Sequence, residues 1–281
     1  MRAMPEPLCV LSIQSEVVRG HVGNSAARFA LQRLGLDVWA VPTVLLSNHP
    51  GHGRFRGEAT SAGAMAALID GLDAHGWLAR CSGLISGYMG SADQARVVAD
   101  AVRRVRAQNP RAIYLCDPVF GDDDGAYARP GVAEAMAREL VPLADIVTPN
   151  RFELSSLTSK KIEGAIDAVA AARALGKTET VVTSVPFEGG RIGTVAVTRE
   201  GAWAVAAPKI ARVPNGSGDL LAALYLAARL QGRDAAGALS AACSAVDAVL
   251  RASAGTDELR LVAAQTELAV PARILTAERV T

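Results

Sequence analysis

The chain has 281 residues, of which 50% are hydrophobic and 20% are charged, so it can bury a sizeable core and is not disordered. Its 29 Lys and Arg residues nearly cancel its 28 Asp and Glu residues, which leaves no broad basic face for nucleic acid or an anionic membrane. Its four cysteines lie far apart without a C-x-x-C pair, which argues against a disulfide framework or a zinc cluster. We therefore expect a soluble, cytoplasmic protein that binds neither nucleic acid nor membranes.

The first half of the chain alternates apolar runs of strand length with segments of helical character. Strands are predicted at residues 8–13, 38–46, 83–86 and 112–116. Helices are predicted at residues 24–34, 61–75 and 91–108, with Asn24 and Ser91 as candidate caps. Pro42 interrupts the second strand and indicates an edge or a bulge there. A Gly-, His- and Pro-rich loop spans residues 47–57, and an acidic loop spans 117–125.

The second half continues the alternation and ends in helices. Helices are predicted at residues 130–141, 163–175, 217–230, 235–250 and from about 257 onward, the first with Pro130 at its first position. Strands are predicted at 145–148 and 180–183, and a hairpin at 192–198 and 202–206. The longest uncharged apolar stretch, residues 220–228, is too short to span a bilayer.

Repeated strand–helix–strand units predict one α/β domain over residues 1–281, with a mainly parallel sheet and helices on both faces. In such a sheet the ligand site lies beyond the carboxyl ends of the strands. We therefore expect the polar groups that follow the strands to converge on one rim. They are Gln14-Ser15, Ser47-Asn48-His49, Gly87-Tyr88, Asp117-Pro118, Thr148-Pro149-Asn150 and Thr183-Ser184.

The sharpest local signal is Gly216-Ser217-Gly218-Asp219, which opens an apolar helix. The glycines allow a tight turn, and the free N–H groups at the start of the helix favour an anion. The charge of an acid in this turn opposes that of a bound phosphate, so a loop that only binds phosphate does not explain Asp219. A general base that takes a proton from an attacking hydroxyl does explain it. The spacing alone fits a simple capped helix start equally well.

Asp117 follows a buried strand, and Asp122, Asp123 and Asp124 come shortly after it. Carboxylates close to a phosphate site suit Mg²⁺, which takes few protein oxygens and keeps several waters. The alternative is a solvated acidic turn, which is the usual fate of three consecutive aspartates. The end of a strand makes Asp117 the better candidate ligand, and Asp123 and Asp124 are expected to face water.

Taken together, these segments resemble pyridoxal kinases of the ribokinase-like superfamily over nearly the whole chain. The G-x-G-D motif is shared across the superfamily, whereas the I-Q-S, G-H-V-G-N and S-N-H motifs are more specific to pyridoxal kinases. The matching stretches are Ile13-Gln14-Ser15, Gly20-His21-Val22-Gly23-Asn24, Ser47-Asn48-His49, Ser86-Gly87-Tyr88, Cys116-Asp117-Pro118-Val119, Thr148-Pro149-Asn150 with Glu153, and Gly216-Ser217-Gly218-Asp219.

The resemblance implies a ribokinase-like three-layer α/β/α fold and the transfer of phosphate from ATP to the 5′-hydroxymethyl group of pyridoxal. The product would be pyridoxal 5′-phosphate in vitamin B6 salvage. Asp219 would be the base, with Gly216, Ser217 and Gly218 as the anion hole. The substrate-binding residues implied are Ser15, which contacts the pyridine ring, His49, Tyr88 and Asp219.

The resemblance also implies a nucleotide side, with ATP, Mg²⁺ and a monovalent cation such as K⁺, and a homodimer. The implied metal ligands are Asp117 and Glu153. The implied ATP-binding residues are Asp117, Asp122, Thr148, Glu153, Thr183, Ser184, Ile210 and Ser217.

Three positions depart from the family pattern. Glu16 replaces the histidine common after I-Q-S, and Pro50 replaces a hydrogen-bond donor often found after S-N-H. Asn215 is polar where an apolar residue is common. The first two leave open the preference among pyridoxal, pyridoxine and pyridoxamine. Two rival functions are a related kinase for hydroxymethylpyrimidine or a sugar, and a non-catalytic vitamer-binding protein on the same fold.

Overall fold

A ten-stranded sheet runs through the computed structural model, which describes residues 7–281. Residues 1–6 of the predicted domain lie outside the described residues. The strands are β1 (Cys9–Val17), β2 (Asp37–Leu46), β3 (Gly57–Ala59), β4 (Cys81–Ser86), β5 (Ile113–Cys116), β6 (Gly121–Asp122), β7 (Gly125–Ala126), β8 (Ile146–Val147), β9 (Glu179–Phe187), β10 (Arg191–Thr198), β11 (Ala202–Pro208) and β12 (Glu278–Arg279).

The large sheet has the order β12-β11-β10-β9-β8-β5-β4-β1-β2-β3, and β6 and β7 form a separate small hairpin. Its central strands, from β2 across to β9, are parallel. The strands at either edge are antiparallel. The predicted mainly parallel α/β sheet is confirmed, including the hairpin, which is β10–β11.

Helices cover both faces of the sheet. They are α1 (Asn24–Arg33), α2 (Ala62–Ala74), α3 (Ala92–Gln108), α4 (Val132–Ala135), α5 (Arg151–Thr158), α6 (Ala165–Leu175), α7 (Ser217–Leu230), α8 (Ala235–Ala252) and α9 (Gln265–Ala269). One core joins α1, α7, α8 and α9 to the sheet, and α2 to α6 pack on the other face. Neighbouring strand residues such as Val181 and Val182 belong to opposite cores, as the alternation of side chains along a strand requires.

The structure differs from the predicted elements in several places. The predicted helix at residues 130–141 is α-helical only over α4, which starts at Val132 rather than at Pro130 and continues as a π-helical turn over Met136–Leu140. Strand β3 has no counterpart among the predicted strands. Helix α5 was absent from the prediction, although Asn150 and Glu153 form a capping box at its start. The acidic loop contains the β6–β7 hairpin. The predicted final helix from about residue 257 is wrong: only α9 is helical in that region, and β12 then returns to the sheet edge.

Helix α8 is long and apolar enough to cross a bilayer by length and composition alone. Half of its residues, however, are buried inside the fold. The prediction from the uncharged stretch 220–228 did not single it out, because Asp247 and Arg251 lie within it. Core helices of globular proteins pass the same composition test. Its buried side chains, among them Leu239 and Val249, lie in the core that α1 and α7 share.

The pairing of β1 and β2 is irregular beside the start of α1. The pairing of β1 with β2 shifts register between Gln14, opposite Pro42, and Glu16, opposite Leu45, so the predicted bulge at Pro42 is confirmed. Asn24 donates from Nδ2 to the carbonyl oxygens of Gln14 and Val41, both at 3.2 Å. Asn24 is therefore not the helix cap that the sequence predicts, because its side chain holds the two strands instead.

Candidate active site

The predicted strand-end clusters lie side by side along the carboxyl edge of the parallel strands. The amide of Gly87 donates to the carbonyl of Ile13 at 3.2 Å, and the amide of Asp117 donates to that of Ser86 at 2.8 Å. The amide of Thr183, further along the same edge, donates to the carbonyl of Pro149 at 2.9 Å. The chain thus brings the ends of β1, β4, β5 and β8 to one rim, as the sequence predicts, and Thr183 joins it from within β9, which continues to Phe187.

Asp117 and Thr148 form the centre of this rim. Both are buried, with 5% and 3% of their surfaces exposed, and Thr148 Oγ1 donates to Asp117 Oδ1 at 2.7 Å. Burial and the nearby charge of Asp219 raise the pKa of Asp117 to about 8, against the opposing effect of the Thr148 hydrogen bond. Without a cation, Asp117 is therefore only partly ionised near neutral pH. A bound cation would stabilise its ionised form.

Glu153 joins two segments of the predicted nucleotide side. Its Oε1 accepts from the amide of Phe120 at 3.0 Å, and its Oε2 accepts from that of Asn150 at 2.8 Å. Burial, and then the charge of Asp117, raise the pKa of Glu153 well above its usual range. Both carboxylate oxygens are already engaged by backbone amides, which favours a loop-positioning role. The predicted metal ligation by Glu153 stays a prediction.

Asp219 lies in the first turn of α7, directly after the two glycines. Gly216 has φ +97, and a β-carbon there would overlap the carbonyl oxygen of His21, so only glycine fits. Burial raises the pKa of Asp219 to about 6, and a hydrogen bond from the amide of Gly23 opposes the shift. The residue is therefore an ionised carboxylate at neutral pH, next to the free amides of a helix start.

Gly23 connects Asp219 to the predicted substrate serine. A β-carbon on Gly23 would overlap the backbone and the Oγ of Ser15, and its φ of +51 is one that side chains rarely allow. Because the same residue donates to Asp219, Ser15 and Asp219 face each other across a single glycine. The structure thus brings together two residues that the family resemblance assigns to the acceptor.

His49 and Tyr88 lie on the same side of the rim, and both are half-buried. His49 Nδ1 accepts from the amide of Gly51 at 3.1 Å, and burial lowers the pKa of His49, with the charge of His52 adding to the effect. The carbonyl of Tyr88 accepts from Thr43 Oγ1 at 2.7 Å. The substrate roles of both side chains stay predictions.

The remaining residues of the predicted ATP-binding set are more exposed. Ser184 is exposed and has φ +59, which is uncommon outside glycine and is typical of functional loops. Ser217 and Ile210 are half-buried, the first at the start of α7. Asp122 is exposed on the β6–β7 hairpin, and its Oδ1 accepts from the amide of Asp124 at 2.9 Å. The structure does not bring Asp122 into a direct contact with Asp117.

Tyr127 is a site residue that the sequence reasoning missed. Its pKa is raised, first by burial and then by the charges of Glu153, Asp117, Asp122 and Asp219. Tyr127 directly follows the β6–β7 hairpin with 51% of its surface exposed, so its ring lies near the carboxylates rather than buried among them. An aromatic residue shortly after three aspartates was a weak signal, because nothing in the spacing placed the loop over the rim.

The carboxylates of the rim fit a divalent cation. Within residues 7–281 no Lys or Arg forms an ion pair with Asp117, Glu153 or Asp219, so no basic side chain of those residues competes with a cation for them. The same residues contain no group of three or more His, Cys, Asp or Glu able to enclose a metal ion. A Mg²⁺ ion here would take most of its ligands from phosphate and water, as it commonly does.

Glu16, next to Ser15, is one of the departures from the family pattern. Its charge is accompanied by an opposite charge from the same fold. The guanidinium of Arg28 on α1 lies 3.8 Å from its carboxylate. The negative charge expected near the substrate is thus partly neutralised from within the fold.

Comparison with known proteins agrees with this geometry. Residues 80–261 match the family model of phosphomethylpyrimidine kinase. The pyridoxal kinase PdxY of Rubrobacter xylanophilus is 46% identical over 94% of each chain, and that of Deinococcus radiodurans is 44% identical over 98% of this chain and 97% of its own.

Solved structures agree as well. The pyridoxal kinase from Leishmania donovani in complex with ADP and pyridoxamine superimposes with a TM-score of 0.92 at 29% identity, covering 97% of this chain and 99% of that one. The ribokinase-like fold is therefore confirmed. With these sequence identities over nearly its full length, the chain belongs to the pyridoxal kinase family.

Proposed function

We propose that this protein is an ATP-dependent pyridoxal kinase that phosphorylates the 5′-hydroxymethyl group of pyridoxal. The observation that carries the proposal is the placement of Asp219 in the first turn of α7, one glycine away from Ser15. A base for an alcohol and a contact for the pyridine ring are thereby held at a fixed separation. The names of the matching relatives support the same activity.

The acceptor hydroxyl loses its proton to Asp219, and its oxygen attacks the terminal phosphorus of ATP in line with the departing ADP. With a pKa of about 6, Asp219 is ionised at neutral pH and still basic enough to hold the proton. The amides of Gly216, Ser217 and Gly218 face the charge that develops on the transferred group. Most of the rate enhancement comes from positioning and from this charge stabilisation.

On the nucleotide side, Asp117 is the residue we assign to Mg²⁺, with Thr148 orienting its carboxylate. When bound, Mg²⁺ neutralises charge on the phosphates of ATP. Glu153 holds the loop at Phe120 and Asn150 around that position. Asp122, Thr183, Ser184 and Ile210 are proposed nucleotide contacts at the same rim.

Ser15, His49 and Tyr88 are the proposed contacts to the vitamer. Ser15 has the strongest support, because its Oγ lies against Gly23 at the site of the proposed base. The lowered pKa of His49 favours a neutral imidazole, which can both donate and accept a hydrogen bond. A neutral ring suits an uncharged aldehyde or hydroxyl group better than a cation would.

Three further properties rest on the family resemblance alone: activation by K⁺, a homodimeric assembly and a cytoplasmic location. They remain proposals. Activity with and without K⁺ at constant ionic strength tests the first, and sedimentation of the purified protein tests the second.

The proposed function is tested by ADP release in the presence of ATP and each of four acceptors: pyridoxal, pyridoxine, pyridoxamine and hydroxymethylpyrimidine. We expect the highest kcat/KM with a B6 vitamer. A higher kcat/KM with hydroxymethylpyrimidine would instead support the function suggested by the phosphomethylpyrimidine kinase family model. Tight binding of pyridoxal 5′-phosphate without any ATP turnover would contradict both and support a non-catalytic binding protein.

A further inference from the structure

The segment that follows α8 places one carboxylate, Glu258, against two loops that border the anion hole. We propose that Glu258 is a positioning residue, which fixes these two loops and thereby sets the geometry of the acceptor side. Its kinetic consequence rests on the proposed function, whereas its effect on the loops does not. The two loops are residues 19–23, called the first loop here, and residues 47–53, called the second loop.

Glu258 forms a hydrogen bond with the backbone of the first loop. Its Oε2 accepts from the amide of His21 at 3.4 Å, and Arg19 contacts its Oε1 at 3.2 Å. At Gly20, where φ is +105, a β-carbon would overlap the Glu258 carboxylate. The first loop therefore packs directly against this carboxylate, through the hydrogen bond of the His21 amide and the ion pair with Arg19.

The position of the first loop bears directly on the anion hole. The carbonyl oxygen of His21 packs so closely on Gly216 that no side chain fits there. Two residues later, Gly23 touches Ser15 and donates to Asp219. A shift of the first loop would thus displace the anion hole, the base and the ring contact together.

Glu258 also reaches the second loop. Its Oε1 lies 3.6 Å from Nε2 of His52, and the same ring nitrogen lies 3.2 Å from the carbonyl of Asp257. A β-carbon on Gly51 would lie 3.1 Å from Nδ2 of Asn215. The second loop, which carries His49, therefore contacts Glu258 through His52 near its end. At Gly51 it packs against Asn215, the residue before Gly216.

The segment around Glu258 is anchored well enough to act as a fixed support. Leu259 and Leu261 are buried, with 1% and 0% of their surfaces exposed, in the core shared by α1 and α7. The side chain of Glu258 is itself only 17% exposed, so its contacts are weakly screened by solvent. In contrast, the neighbouring Asp257 is 64% exposed, and among residues 7–281 its carboxylate pairs only with Arg19, which is itself 60% exposed, so that this pair contributes little.

Glu258→Ala and Glu258→Gln test the proposal, with Asp257→Asn as the matched control. We expect kcat/KM for pyridoxal to fall about tenfold in Glu258→Ala and less in Glu258→Gln, which keeps an acceptor for the His21 amide. The KM for ATP should change less than kcat/KM for pyridoxal, because Glu258 contacts neither Asp117 nor Thr148 and acts on the anion hole only through the first loop. A purely structural role would instead lower the melting temperature and leave the KM values of the folded protein unchanged.

Hydrogen exchange of the same variants tests the proposal without relying on the activity. We expect faster amide exchange in residues 19–23 and 47–53 of Glu258→Ala, and wild-type exchange in Asp257→Asn. Exchange and kinetics in Glu258→Ala that match those of Asp257→Asn would overturn the proposal. If the wild-type protein does not phosphorylate pyridoxal but the loops still loosen in Glu258→Ala, the proposed function fails while the positioning role stands.

Discussion

The amide of Gly23 donates a hydrogen bond to the carboxylate of Asp219, and the same glycine packs on Ser15. This relationship places the proposed base, at the start of a helix, close to a serine hydroxyl near the end of a strand. It also depends on a residue without a side chain, since any β-carbon at Gly23 would overlap Ser15. The acceptor side of the site is therefore built around a point of close backbone approach.

The raised pKa of Asp219 predicts a pH dependence of phosphoryl transfer. Below its pKa of about 6, the carboxyl is protonated and cannot accept the proton of the alcohol. We expect kcat/KM for pyridoxal, measured with saturating ATP and Mg²⁺, to rise about tenfold per pH unit below 6 and to level off above it. A flat profile from pH 5 to 7 would contradict the assignment of Asp219 as the base.

Ser15→Ala is expected to weaken binding of the vitamer while sparing the nucleotide. The loss of one hydrogen bond to a bound ligand corresponds to roughly 0.5–1.5 kcal/mol, so the KM for pyridoxal should rise about two- to tenfold. The KM for ATP should stay within about twofold, because Ser15 lies on the acceptor side of Asp219. An unchanged KM for pyridoxal would count against the ring contact.

Asp117 should make the free protein less stable as the pH rises. Its folded-state pKa of about 8 lies above the ordinary value of 3.8, so its contribution to stability is complete below about pH 4 and is lost as the pH rises through 8. Asp117→Asn keeps an acceptor for Thr148 and removes this loss. Without nucleotide or Mg²⁺, we expect its Tm at pH 9 to exceed that of the wild type by about 2–4 °C, the shift that 1 kcal/mol produces in a protein of roughly this size.

The comparison at low pH supplies the control for this prediction. At pH 4 the Tm advantage of Asp117→Asn should vanish, because the wild-type carboxyl is then protonated. The same Tm difference at pH 4 and pH 9 would show that the titration of Asp117 is not its cause.

Gly216→Ala should damage the anion hole, because its φ of +97 and the adjacent His21 carbonyl leave no room for a methyl group. We expect a loss of about 1–3 kcal/mol of unfolding free energy from backbone strain and a fall in kcat of about 10²–10³ as the amides are displaced. Gly71→Ala is the matched control, since the space around Gly71 on α2 is open. Equal kcat values in the two variants would contradict the role of the turn.

Much of the rim was predictable because it obeys a rule of topology. Asp117 and Thr148 each follow a parallel strand and Ser15 lies near the carboxyl end of another, and the ends of such strands must meet at one edge. Asp219 was predictable from two glycines before an apolar helix, although the spacing alone did not separate a base from a cap. The family resemblance, not the spacing, supplied that distinction.

The parts that sequence reasoning missed depend on contacts between distant segments. Tyr127 comes near enough to the carboxylates for their charges to raise its pKa after the acidic loop has folded into the β6–β7 hairpin. Glu258 meets the amide of His21 across 237 positions of sequence, and no local pattern encodes such a pairing. Asn24 has the right residue type for a helix cap, yet its amide holds β1 and β2 because buried strand carbonyls beside a bulge require a donor.

The most direct test of the central claim is the rate of pyridoxal 5′-phosphate formation by Asp219→Asn, measured together with its affinity for ATP. Removing the base should lower kcat by about 10²–10⁴ and leave the dissociation constant of Mg²⁺-ATP within about threefold. Asp124→Asn, which changes an exposed aspartate of the acidic loop, should retain wild-type turnover. Wild-type turnover in Asp219→Asn would contradict the account.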